Sequence, residues 1–165
     1  MLSYRGLRHL MVIVISIGLV ACGFRLAGTA ELPEELSTIH LVTRNLSKQQ
    51  QDEIRGRLTR AGATVVDQAT ADAVLLAVSF KVLPDRRLAS GGSSGKIVDR
   101  VSRSLNFSLK SPDGEVIAPA KTLLQQKNME LDENNLLASN REKENVIKEL
   151  EENLFKQLIN QLQRI

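Results

Sequence analysis

The chain has 165 residues, of which 22 are Lys or Arg and 19 are Asp or Glu, giving a formal net charge of +3. That length suits a single domain, and a content of 42% apolar and 25% charged residues is typical of a folded globule. Aromatic residues make up only 3%, so the chain lacks the stacking surface that single-stranded nucleic acids need. One cysteine excludes an internal disulfide and any zinc site built from several cysteines.

The first 21 residues have the pattern of a secretory signal peptide. Arg5 and Arg8 precede an uncharged apolar run over residues 10–20. Eleven helical residues span about 17 Å, which is too short for a bilayer core of roughly 30 Å. Without this leader, 20 basic residues remain against 19 acidic ones, so the excess positive charge belongs mostly to the leader.

The leader ends at Leu19-Val20-Ala21-Cys22, which resembles the lipobox of bacterial lipoproteins. In such proteins the cysteine thiol forms a thioether to diacylglycerol, and a peptidase then cuts before it, which requires a small residue at the preceding position. The freed amine is acylated as well, and two or three acyl chains attach a protein durably to a membrane. The pattern predicts lipidation of Cys22, and the alternative is an ordinary secreted protein with one buried cysteine. Gly23 follows instead of Asp, so the resemblance places the anchor at the periplasmic face of an outer membrane.

The first half of the remaining chain combines strand and helix patterns. Ile39 and Leu41 have the two-residue period of a strand over residues 38–43. Ser47 and Gln50 form a capping box for a helix over residues 48–61, and Gly62 stands where a left-handed helix end belongs. A short strand over residues 64–66 is a further option.

The second half contains three long patterns. Residues 74–82 and 97–110 alternate apolar and polar side chains, as half-buried strands do. A Ser-Pro-Asp-Gly turn leads into a fourth strand over residues 115–131, in which Pro119 predicts an edge position or a bulge. Ser139 and Glu142 form a second capping box before an apolar helical stripe over residues 146–165.

These elements in the order β-α-β-β-β-α predict an α+β fold. The expected architecture is a two-layer sandwich with two helices packed on one face of a mainly antiparallel four-stranded sheet. We predict a signal peptide over residues 1–21, an anchor and linker over residues 22–37, and a single domain over residues 38–165.

The sequence offers little for catalysis. His40 is the only imidazole outside the leader, and it lies in the middle of a predicted strand, where a half-buried or surface histidine is expected. No G-x-S-x-G nucleophile motif is present, and residues 91–96 lack the spacing and the following helix of a phosphate-binding loop. We therefore predict no enzymatic activity, no cofactor and no metal site.

Basic residues surround the Gly/Ser-rich hairpin tip at residues 89–95 and the predicted start of the last helix. We call six of them the tip cations: Arg86, Arg87, Lys96, Arg100, Arg141 and Lys143. Arg103 follows on the strand that leaves the tip. Guanidinium and ammonium groups bind phosphates well, so the tip cations are candidates for binding the phosphates of an anionic lipid. The alternative is a charged tip that keeps an exposed strand end soluble.

Motifs over nearly the whole chain after the leader resemble the lipopolysaccharide (LPS)-assembly lipoprotein family LptE, also called rare lipoprotein B. They are the lipobox, the run Cys22-Gly23-Phe24-Arg25-Leu26, Gly28, Leu32-Pro33, the order of strands and helices, and Ile147-Lys148-Glu149-Leu150 in the last helix.

The resemblance implies an outer-membrane lipoprotein that forms a plug inside the barrel protein LptD, assists assembly of that barrel, and binds LPS during insertion into the outer leaflet. It implies that Cys22 is the lipidated residue. It also implies that basic residues at the hairpin tip and at the start of the last helix contact LPS, which here are the tip cations. The competing interpretation is an accessory lipoprotein of a phospholipid-transport ABC system or an envelope scaffold. Obligate partnership with the LPS barrel distinguishes the two.

Overall fold

The computed structural model describes residues 31–90, 96–132 and 134–165, which fold as an α+β domain. Its helices and strands, in chain order, are β1 (Thr38–Arg44), α1 (Lys48–Arg60), β2 (Thr64–Val66), β3 (Val74–Val82), β4 (Arg86–Ser90), β5 (Lys96–Lys110), β6 (Val116–Asp132) and α2 (Leu136–Leu162). No helix within the described ranges has an apolar stretch long enough to cross a membrane.

The ends of α1 follow its sequence closely. The Ser47 side chain accepts a hydrogen bond from the backbone of Gln50, whose side chain accepts one from the Ser47 backbone, so the predicted capping box is confirmed. The helix ends one residue earlier than predicted, and Gly62 has a φ of +97°. A left-handed residue at this place ends a helix by satisfying its last carbonyl groups, and glycine adopts that φ without a steric penalty.

The start of α2 differs from the prediction. The helix begins at Leu136, and Asn135 caps it by accepting a hydrogen bond from the backbone of Ala138. Ser139, predicted as the cap, lies inside the helix and is buried, and its hydroxyl bonds to the backbone of Asp132 at the end of β6. The prediction was wrong because two capping residues lie within five positions, and the one that directly follows β6 starts the helix.

The sheet is mixed and has six strands, in contrast to the predicted mainly antiparallel sheet of four. The order is β2-β1-β3-β5, with β4 and β3 on one side of β5 and β6 on the other. β1 pairs in parallel with both β2 and β3, whereas the remaining pairs are antiparallel. The parallel pair β1 and β2 is possible because α1 provides the crossover that parallel neighbours need.

The sequence analysis missed β4 but correctly predicted the bulge in β6. No strand was predicted over Arg86–Ser90, whose last two residues were placed in the flexible tip, yet this segment pairs with β5 through a register shift at Leu88. Pro119 lies where the β5–β6 register shifts, on a strand that pairs with β5 alone. The prediction of a bulged edge strand is therefore confirmed, since proline cannot donate a ladder hydrogen bond.

Both helices pack on one face of the sheet, as predicted. Ile54 and Leu58 of α1 and Leu158 of α2 share a buried cluster with Leu76 and Leu105 of the sheet. A smaller cluster of Val101, Met129, Val146 and Leu150 lies towards the beginning of α2. We call the opposite surface of the sheet the open face, because neither helix covers it.

The segment that precedes β1 packs against this core. Residues Glu34–Leu36 form a short 3-10 turn, and Leu36 is buried in the larger cluster. The backbone N–H of Leu32 donates a 2.9 Å hydrogen bond to the carbonyl of Ala61 at the end of α1. Residues 31–37 thus pack against the domain that they precede.

Candidate anion-binding surface

Arg86 and Arg100 lie directly opposite each other in the β4–β5 pair. Directly opposite residues of an antiparallel pair point to the same face, and Arg100 belongs to the alternating set of β5 that points away from the helices. The Arg100 Nε donates a 3.0 Å hydrogen bond to Oδ1 of Asn128, its partner on β6. The open face therefore carries a row of Arg86, Arg100 and Asn128 across three strands.

The two arginines form a concentrated positive charge. Neither guanidinium takes part in an ion pair with a residue in the described part of the chain. Like charges directly opposite each other destabilise a sheet, and an anion between them removes that repulsion. Two planar guanidinium groups match the geometry of phosphate oxygens, which they can bind through paired hydrogen bonds.

Arg87 and Lys143 already have carboxylate partners. Arg87 lies opposite Asp99, with 3.5 Å between its Nε and Oδ1 of that residue. Lys143 Nζ lies 2.5 Å from Oδ2 of Asp85, in the connection between β3 and β4. These pairs join α2 and β4 to the rest of the tip, and their neutralised charge makes both cations weaker anion ligands than Arg86 and Arg100.

The remaining tip cations lie on different elements. Arg141 is exposed on α2, one turn from Leu137. Lys96 is the first residue of β5, and its backbone pairs with Asp132, but its side chain lies outside the described part of the structure. The structure thus brings Arg86 and Arg100 together on the open face, and places Arg87, Arg141 and Lys143 towards the helix-covered side.

Arg103 is a buried residue, although its position after the tip suggested a surface cation. It lies on the helix-covered side of β5, in the alternation that also buries Val101 and Leu105. Its Nη1 donates a 2.9 Å hydrogen bond to the carbonyl of Ser102, whereas its Nε has no hydrogen-bond partner among the described residues. This arginine is not accessible to a ligand on the open face.

Exposed leucines at the same end of the molecule were missed by the sequence analysis. Leu136 and Leu137 in the first turn of α2 are 64% and 78% exposed, and Leu88 in the β4 bulge is 44% exposed. The bond between Ser139 and Asp132 places the first turn of α2 beside the end of β6, which pairs with the start of β5. The sequence did indicate these exposed side chains, because Leu136 and Leu137 precede the predicted start of the last helix and lie outside its apolar stripe.

The far end of the open face carries a second pair of cations. A shallow groove of about 350 Å³ there is lined by small and apolar residues, with Arg44 and Lys110 among them. Both side chains are exposed. They share face and charge with Arg86 and Arg100, but Lys110 lies at the other end of β5 and Arg44 at the end of β1, which makes them a matched control for experiments on the tip.

The described residues do not bring together groups that hold metal ions. No cluster of three His, Cys, Asp or Glu side chains occurs within residues 31–90, 96–132 and 134–165. His40 is half-buried in β1, as expected for a strand residue. Cys22 lies outside the described residues.

Comparison with known proteins identifies the family. The model of the family LptE, described as lipopolysaccharide-assembly, matches residues 36–162. Among proteins with curated functions, no sequence matches this chain significantly.

Three solved structures share the fold at low sequence identity. A lipoprotein B from Nitrosomonas europaea is 19% identical, with a TM-score of 0.68 over 86% of this chain and 90% of its own. The rare lipoprotein B from Shewanella oneidensis is 17% identical, with a TM-score of 0.64 over 76% of this chain and 92% of its own. A minor lipoprotein from Acinetobacter baumannii is 16% identical, with a TM-score of 0.60 over 78% of this chain and 92% of its own. Because the family model spans most of the chain, from the 3-10 turn to the end of α2, the protein belongs to the lipopolysaccharide-assembly family LptE.

Proposed function

We propose that this protein is an outer-membrane lipoprotein that plugs an LptD-type β-barrel, assists assembly of that barrel, and binds LPS during insertion into the outer leaflet. Membership of a lipopolysaccharide-assembly family supports a role in that process. The proposed role is structural and ligand-binding, with no catalytic step.

The observation that carries LPS binding is the cross-strand pair of Arg86 and Arg100. The lipid A part of LPS carries phosphate groups, and two adjacent guanidinium groups without carboxylate partners among the described residues suit such a group. Binding a phosphate there replaces the repulsion between the arginines by two charge-assisted interactions. Arg141 extends the positive surface on α2, and Lys96 remains a candidate by its position in the chain.

The exposed leucines suit the other half of the same ligand. LPS is an amphiphile, with acyl chains attached to the phosphorylated sugars. Leu88, Leu136 and Leu137 are exposed at the same end of the molecule as the tip cations. Burial of apolar side chains against acyl chains adds to the electrostatic attraction, at roughly 25 cal/mol per Å² of apolar surface removed from water.

The open face suits contact with the lumen of a barrel. Asn106 and Thr122 are joined there by a 3.0 Å hydrogen bond, and Ser104 and Ser108 lie in the same alternation. The interior of a membrane barrel with a wide lumen is polar, so a polar sheet face meets it without burying unpaired groups in an apolar setting. Lipidation at Cys22 would hold this domain at the periplasmic face of the outer membrane.

The test compares two double variants of the full-length lipoprotein, purified in detergent. We expect Arg86→Glu with Arg100→Glu to weaken LPS binding by roughly tenfold or more, because attraction for the phosphates becomes repulsion. Arg44→Glu with Lys110→Glu makes the same charge change at the other end of the open face and should leave LPS binding near that of the unchanged protein. Equal losses in both variants would show a general charge effect and would reject the tip as the binding site.

The barrel part of the proposal has its own measurement. A C-terminally tagged protein, isolated from detergent-solubilised outer membranes, should bring down the LptD-type barrel in stoichiometric amount. Arg44→Glu with Lys110→Glu reverses charge on the open face and should reduce that amount, and unchanged recovery would reject contact between the open face and the barrel lumen. Recovery of inner-membrane ABC transporter components in place of the barrel would reject the proposal in favour of a phospholipid-transport accessory.

A further inference from the structure

The outer edge of β6 is a long strand edge without a neighbour. β6 has 17 residues and pairs with β5, and no other described strand pairs with it. From Lys121 to Asp132 its register with β5 has no break. An exposed, regular edge presents a row of unpaired N–H and C=O groups that can pair with another strand.

Two hydrogen bonds show which residues of β6 point their backbone groups away from β5. The N–H of Asp132 donates to Oγ of Ser139 at 2.9 Å, and its carbonyl accepts from the same hydroxyl at 3.2 Å. Backbone direction alternates along a strand, so the groups of Leu124, Gln126 and Asn128 point outward as well. Ser102, opposite Gln126, agrees with this assignment, because its carbonyl accepts from Leu83 on the far side of β5.

The described residues protect both ends of this edge and leave its middle without a covering element. At one end, Pro119 and its bulge interrupt the strand. At the other end, Ser139 occupies the outward groups of Asp132. Prolines, bulges, covering elements and charged side chains are the usual protections of an edge. Within the described part of the chain, residues 121–131 have only the last of these, at Lys121, Lys127 and Glu130.

The surroundings of the edge indicate the charge of its partner. A groove of about 490 Å³ runs between the end of β6 and the first turns of α2, and its lining contains Asp132 and Glu142 and, among the described side chains, no Lys or Arg. A basic segment is therefore complementary to it. A second copy of β6 does not supply that charge, because its two cations, Lys121 and Lys127, bind Gln161 and Glu149 of α2.

We propose that the outer edge of β6 pairs with an extended segment of the barrel partner, and that this segment carries basic side chains where it passes the start of α2. Addition of a strand to an open edge is a common mode of recognition, in which the main chain supplies affinity and the side chains supply specificity. The inference rests on the proposed function, since it takes the barrel protein as the partner.

The first test measures amide hydrogen exchange in the free lipoprotein and in its purified complex with the barrel. We expect the amides of Leu124, Gln126 and Asn128 to exchange at least about tenfold more slowly in the complex. The amides of Leu123, Gln125 and Lys127 point towards β5 and serve as internal controls that are protected in both states. Unchanged exchange of the outward amides within an intact complex overturns the edge pairing and leaves the proposed function standing.

The second test changes one outward amide. Gln126→Pro removes an N–H that β5 does not use and places the proline ring on the outer edge, whereas Gln126→Ala removes the side chain and keeps the amide. We expect the proline variant to keep its fold, by circular dichroism, and to lose barrel affinity by roughly tenfold, while the alanine variant binds normally. Glu142→Lys should also weaken the complex, because it places a cation in the groove.

Three outcomes contradict the inference. Equal barrel binding by the proline and alanine variants would show that the edge is not used. Concentration-dependent protection of the outward amides in the lipoprotein alone would assign the edge to a second copy of this chain. Failure of the unchanged protein to form any barrel complex would reject the proposed function itself, and the inference with it.

Discussion

At the scale of single residues, Arg103 is the least expected feature of the core. It lies between Val101 and Leu105 on the helix-covered side of β5, and only 6% of its surface is exposed. Burial of a charge is costly unless it is fully paired and hydrogen-bonded, and the Nε of this residue has no partner among the described residues. Arg103 therefore weakens the fold at the place where β3 ends and β4 begins.

Replacement of this arginine by an apolar side chain of similar length should stabilise the protein. We expect Arg103→Met to raise the free energy of unfolding by about 1 kcal/mol, because it removes an unpaired buried donor and keeps most of the packing. Urea denaturation followed by circular dichroism measures the change, and Arg60→Met, on the exposed surface of α1, is the control. A loss of stability specific to Arg103→Met would show that the charge has a partner in the folded protein.

The sequence contains two conflicting indications for residue 103. The alternation that places Val101 and Leu105 inward also places residue 103 inward, whereas its charge favours a place in solvent. Register follows from the whole strand, so the alternation determines the outcome. The pairing of Arg86 with Arg100 was not predictable in the same way, because it depends on the register shift at Leu88.

At the scale of elements, the predictions succeed where a segment carries its own pattern. β3, β5 and α1 were predictable because alternation, a capping box and a glycine are local features. β4 was not, since its five residues take their strand conformation from pairing with β5. The start of α2 was placed too late because two residues near it are both good caps.

Two glycines at and near the end of α1 should respond oppositely to alanine. Gly56 lies inside the helix, and a Cβ there meets only the end of the Arg60 side chain at 4.0 Å. Gly56→Ala should raise the free energy of unfolding by about 0.5–1 kcal/mol, because alanine loses less backbone entropy in a helix.

Gly62→Ala should lower the free energy of unfolding by about 1 kcal/mol or more, although nothing lies within 4 Å of the added Cβ. The cost comes from the φ of +97° alone. Thermal unfolding of both variants checks the pair, and a destabilised Gly56→Ala would contradict the described packing of α1.

At the scale of the whole molecule, the pairing between strands that are distant in the chain could not be predicted from the sequence. β1 lies between β2 and β3 and is parallel to both. The residues of a strand do not show which other strands it pairs with. The single helix-covered face was predictable, because every amphipathic element needs a common core. The division of the tip cations between two sides of the domain follows from the topology, and so it could be seen only in the folded structure.

The proposed lipidation of Cys22 gives a prediction about the full-length protein. Cys22→Ala should leave the fold unchanged but remove the thioether-linked lipid, because the nucleophilic thiol is lost. Mass spectrometry of the purified protein and fractionation of cell envelopes measure the two effects. A variant that still carries lipid and remains in the outer-membrane fraction would refute anchoring at this cysteine.

Residues 32–36 are held against the core, and this limits the length of chain that can separate the lipidated cysteine from the domain. Leu36 is buried and Leu32 is bonded to Ala61, so the chain is attached to the domain from Leu32 onward. With the lipid at Cys22 as proposed, ten residues separate anchor and domain, and their maximum reach is about 35 Å. The domain is thus confined to a thin layer next to the inner leaflet, and the barrel has to receive its plug within that layer.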